Sequence, residues 1–84
     1  MAIDWTELHG FTARKMTSAL LRDGFVLRSQ RGSHQRYRHS DGRKVTVAFH
    51  HLSDTFTRKT LRAMIQDQAQ WTEDDLSRLS LAKH

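Results

Sequence analysis

After Thr12 the apolar residues Ala13, Met16, Leu20 and Leu21 recur at the spacing of one helical face. The pattern predicts a first helix, with Thr12 as its N-cap and Asp23-Gly24 as its C-terminal stop. From Phe25 the period shortens to alternation, interrupted by two runs rich in turn-forming residues, Arg31-Gly32-Ser33 and Ser40-Asp41-Gly42. Three strands joined by two hairpins are expected, near Phe25–Gln30, His34–His39 and Lys44–Phe49. Helical spacing returns at about Thr57, where Leu61, Met64, Ile65 and Gln68 share a face, Arg58 lies at its margin, and Lys59 and Arg62 point elsewhere. Thr72 and Asp75 resemble a capping box with Asp in place of the usual Glu, opening a short third helix that carries Leu76 and Leu79. The expected class is α+β: an αβββα order, a three-stranded antiparallel sheet with helices on one face, and a short C-terminal helix.

Alternation assigns the two faces of that sheet, because side chains of one parity meet the helices and those of the other meet solvent. Phe25, Leu27, Tyr37, Val45 and Val47 form the inward set. Arg28, Gln30, His34, Arg36, Arg38, Lys44 and Thr46 are left outward, a basic plate with one histidine. The pattern frays at the strand ends, where Val26 falls outward and Gln35 and His39 inward. Trp5 and Trp71 are expected to pack the ends of the chain against the helices.

With 84 residues, no internal repeat and no Gly/Ser- or Pro-rich linker, the chain reads as one domain over 1–84. Its core is expected at about 12–71, with an N-terminal extension over 1–11 and the C-terminal helix over about 72–81. Without cysteine it has neither a disulfide staple nor a thiolate metal site, which fits a reducing compartment. The first eleven residues include Asp4 and Glu7 and no apolar run, unlike a secretory signal, and no stretch approaches membrane-spanning length. A cytoplasmic location is therefore expected.

Lys and Arg number 14 against 9 Asp and Glu, a formal charge of +5 that favours a polyanionic or acidic partner. Most of the cations fall between Arg14 and Arg62. Glu73, Asp74 and Asp75 cluster instead at the start of the third helix, where the macrodipole favours negative charge. Six histidines, two of them adjacent at His50 and His51, raise the question of a metal site. Neighbouring strand residues point to opposite faces, and the His34 to His39 spacing matches no common zinc motif. No metal and no cofactor are expected.

Four fragments in order, Gly24-Phe25, Arg31-Gly32-Ser33-His34, Val45-Thr46-Val47 and Thr60-Leu61-Arg62, resemble the HicA (YcfA-like) toxins over roughly two thirds of the chain, about Met16 to Trp71. The most specific piece is Gly-Ser-His at the start of the second strand, followed by the aromatic Tyr37. Two departures stand out: Ala48 occupies a position where such proteins often have Pro, and Lys59 one where Gly often precedes the Thr-Leu pair. The resemblance implies a fold like a double-stranded-RNA-binding domain, metal-independent cleavage of mRNA by the toxin of a type II toxin–antitoxin system, and neutralisation by a HicB-type antitoxin. It also implies His34 as the catalytic residue.

In metal-free RNA cleavage the ribose 2′-OH attacks the adjacent phosphate, so a base must take its proton and the charge developing on phosphorus must be stabilised. Histidine, with an ordinary pKa of about 6.5, suits the first task, and a positioned acid or base contributes about 10² to 10⁴ in rate. Arg36 and Arg38, of the same parity as His34, are candidates to hold phosphate oxygens. Arg28 and Lys44 belong to the same plate, and the Gly32-Ser33 backbone allows close approach. A second acid or base could come from His50, His51, Lys44 or solvent. Two rival readings use the same surface: a non-catalytic RNA-binding module, and a protein-interaction domain that docks an acidic partner.

Overall fold

The structure, a computed structural model, describes residues 3–8 and 10–81. Residues 1, 2, 9 and 82–84, part of the expected 1–84 span and of its N-terminal extension, lie outside the described residues. A 3-10 turn, Trp5–Leu8, is followed by helix α1, Ala13–Arg22, and strands β1 (Val26–Arg31), β2 (His34–Arg38) and β3 (Lys44–Ala48). Helix α2, Arg58–Arg62, continues as a π-helix, Ala63–Gln68, before helix α3, Glu73–Arg78. The strands form one antiparallel sheet in the order β1-β2-β3.

The helix ends follow from their capping chemistry. The Thr12 hydroxyl accepts from the Lys15 N–H, while the Ala13 and Arg14 N–H groups donate to the carbonyls of Asp54 and Leu52 at 2.8 and 2.9 Å. The loop after β3 thus satisfies donors that a helix start leaves unpaired. The expected capping box at Thr72 and Asp75 is present in both directions. At the other end of α1, Gly24 adopts φ +99°, and a Cβ there would lie 3.1 Å from the His39 ring, so two constraints select glycine.

Apolar faces of all three helices, with Met16, Leu20, Leu61, Met64, Ile65 and Leu76, enclose Tyr37, Val45 and Val47 on one side of the sheet. The π-helix differs from the regular helix expected from Thr57. Its wider turn brings Ala69 N–H to the Met64 carbonyl at 2.8 Å and turns Gln68 toward the sheet, where its Oε1 accepts the Thr46 N–H at 2.8 Å. That contact pairs one backbone N–H on the free edge of β3.

β1 departs from simple alternation. Its register runs Val26↔Arg38 and Leu27↔Tyr37, then Ser29↔Arg36, Gln30↔Gln35 and Arg31↔His34. Arg28 is therefore the extra residue of a β-bulge, and parity reverses behind it. The inward assignment of Leu27 is corrected in part: it shares the side of Tyr37, but at the sheet edge it is 41% exposed. The outward assignment of Gln30 is also corrected, since its side chain accepts from Gln35, which accepts from the buried Tyr37 hydroxyl. Val26 is outward, opposite Arg38 and 55% exposed.

Candidate functional site

Cross-strand partners share a face, so the register arranges the uncovered side of the sheet in rows. Arg31, His34 and Ala48 form the first row, Ser29, Arg36 and Thr46 the second, and Val26, Arg38 and Lys44 the third. All nine are exposed. Arg28, in the bulge, borders an open depression of about 300 Å³ together with Arg36, Arg38, Lys44 and Thr46. The sheet thus brings Arg28, His34, Arg36, Arg38 and Lys44 onto one surface, with His34 at one end of it.

Distance along the strands sorts these groups. Arg36 stands two residues from His34, about 6.6 Å, whereas Arg38 and Lys44 lie roughly 13 Å away. Arg31, placed in a turn by its sequence neighbours, is instead the direct cross-strand partner of His34. Spacing alone concealed it, because the bulge at Arg28 shifts which β1 residues face outward. The turn between these partners contains only Gly32 and Ser33, and Gly32 has φ +58° while Ser33 is not among the positive-φ residues. That combination belongs to the type II′ hairpin, which favours glycine at its first central position.

Past β3, the Phe49 N–H donates to the Ser33 carbonyl at 3.0 Å, so His50 and His51 begin their loop beside the turn that carries His34. The Asp54 carboxylate holds this loop by accepting the N–H groups of His50 and His51 at 2.9 and 3.1 Å. Those backbone bonds keep its pKa below the ordinary carboxylate value. Among the described residues no group of three or more His, Cys, Asp or Glu is arranged to hold a metal ion.

The outer-face cations contrast with a second charged cluster. Asp23, with only 8% of its side chain exposed, accepts from Trp71 Nε1 at 2.8 Å and Arg78 at 2.7 Å, and pairs with Arg43 at 3.3 Å. Burial disfavours its charge, but the Trp71 and Arg78 hydrogen bonds and the Arg43 charge outweigh that, and its pKa is lowered. Arg43 also binds Asp41 and the Ala69 carbonyl and lies over the Phe25 ring. His39, expected inward, is half-buried just past β2; its Nε2 donates to the Asp23 carbonyl and its Nδ1 accepts the Asp41 N–H. The ring thereby serves the fold and stands apart from His34. None of Arg28, Arg31, Arg36, Arg38 or Lys44 has an ion-pair partner among the described residues.

Fold and face together define a small α+β protein whose uncovered sheet surface is cationic, and no described helix is long and apolar enough to cross a membrane. The family model described as HicA toxin of bacterial toxin-antitoxin matches residues 13–71, and the chain belongs to that family. It is accordingly the toxin of a toxin–antitoxin pair, with a cognate antitoxin as its partner. No curated protein is similar enough to the chain to count as a match. The matched span begins at the first residue of α1 and ends at Trp71, so the 3-10 turn and α3 lie outside it.

Proposed function

We propose that this single-domain toxin is a metal-independent endoribonuclease that cleaves mRNA in the cytoplasm and is restrained by a HicB-type antitoxin. The observation that carries the reading is the exposed His34 directly across from Arg31 and next to Arg36, on a surface whose cations have no ion-pair partner among the described residues. His34 takes the proton of the ribose 2′-OH as the oxygen attacks phosphorus. The P–O2′ bond forms, the P–O5′ bond breaks, and the leaving oxygen is protonated by solvent or by an acid from the His50-His51 loop. Arg31 and Arg36 hold the phosphate oxygens as charge develops on them. Gly32 and Ser33 leave the approach to the histidine open, and Arg28, Arg38 and Lys44 bind the remainder of the strand.

The test is cleavage of a defined RNA by purified protein in excess chelator, followed by analysis of the new ends. The reading expects a 2′,3′-cyclic phosphate and a 5′-hydroxyl, and no cut where the ribose carries a 2′-O-methyl group. Cleavage that stops in chelator, or products with a 5′-phosphate, would assign the chemistry to a metal-activated water.

A further inference from the structure

Along β2 the outward positions His34, Arg36 and Arg38 follow at intervals of about 6.6 Å, close to the separation of successive phosphates in an extended single strand. Each interval is a full row of the sheet: Arg31 joins His34, the bulge residue Arg28 flanks Arg36, and Lys44 joins Arg38. On the far side of His34 the sheet ends in the Gly32-Ser33 turn, so there is no further row there. Every Phe, Tyr and Trp side chain, Tyr37 included, is in the core or packed against it, so none of these rings stands on the outer face for a base to stack upon, and the one ring there is the imidazole of His34.

We propose that the sheet face is a three-phosphate track for single-stranded RNA, holding the scissile phosphate between His34 and Arg31, the next at Arg36 and a third between Arg38 and Lys44. The substrate is gripped on one side of the cut only, through its backbone, with little regard to base. Duplex RNA is excluded because a stacked A-form linkage does not place its 2′-oxygen in line with the leaving 5′-oxygen. This inference rests on the proposed nuclease function for the position of the cut, but the track itself is a binding site that can be measured separately.

The probes are nine-nucleotide DNA strands, each with a single ribonucleotide and hence one cleavable linkage, whose position is moved from one end to the other. Cleavage is expected to fall about tenfold for each phosphate lost when fewer than two remain on one side of the cut, and to ignore shortening on the other. Equal loss on both sides, loss on neither, or equally fast cutting of the same linkage in a duplex overturns the proposal. Binding of an all-deoxy nonamer supplies a readout without chemistry. Three phosphate contacts predict about twentyfold weaker binding between 50 and 200 mM salt, and two contacts, in Arg38→Gln/Lys44→Gln, about sevenfold. An unchanged salt dependence in that double variant removes the third subsite. If the nonamer shows both salt dependences while no ribose-containing strand is cut, the track stands and the nuclease reading fails.

Discussion

Arg43 and Arg78 sit in a closed cluster around Asp23, whereas Arg31, Arg36 and Arg38 stand on the sheet with no ion-pair partner among the described residues, although only four residues of chain lie between Arg38 and Arg43. The closed cluster ties the end of α1 to the β2–β3 hairpin, to Ala69 after the π-helix, and to α3. Its charges are satisfied within the protein. Those on the sheet repel one another, and the potential they create is relieved only when an anion arrives from outside. On the proposed function the same side chain serves cohesion in one region and recognition in the other, and what distinguishes the two is the presence of a carboxylate within reach.

That contrast can be broken from either side. Asp23→Ala removes the shared acceptor of Trp71 and Arg78 and leaves the partly buried Arg43 with Asp41 as its remaining carboxylate. It is expected to cost about 3 kcal/mol, a fall of roughly 12 to 24 °C in Tm, while the protein still folded at low temperature keeps the activity of the sheet face. A loss of activity with an unchanged Tm would reverse the roles assigned to the two regions.

Acid attacks the same cluster. The pKa values of Asp23, Asp41 and Asp75 are lowered in the folded protein, so their ionised forms contribute stability above the ordinary carboxylate value, and that contribution disappears as pH falls through the folded values. Thermal unfolding followed from pH 7 downward is expected to show little change until about pH 4 and a steep fall beneath it. Asp23→Asn should flatten that fall. Gln68→Ala exposes the Thr46 N–H at the β3 edge, with an expected cost of about 1 kcal/mol and increased self-association at high concentration. Arg36→Gln provides the smallest stability effect, within about 0.5 kcal/mol of the parent, together with a clear drop in RNA cleavage.

The helices and the second and third strands were legible because their signals are local. Met16 and Leu20 mark a helical face, Val45 and Val47 a strand face, and Thr72 with Asp75 a helix start, all within a few residues. The first strand was equally legible as a strand, but its faces beyond Leu27 were not, because the extra residue at Arg28 reverses parity without any change in residue type. That hid both the inward position of Gln30 and the place of Arg31 across from His34. The closed cluster was equally invisible, since Asp23 finds its partners at residues 43, 71 and 78, and no short-range pattern links them. The π-helix left the same apolar spacing at Leu61, Met64 and Ile65 that a regular helix would show.

RNA cleavage by His34→Ala, assayed in excess chelator beside the unaltered protein and with matched thermal unfolding curves, tests the account most directly. Loss of about 10² to 10⁴ in rate with the same Tm is the predicted result. Cutting at the original rate by a folded His34→Ala protein would contradict it.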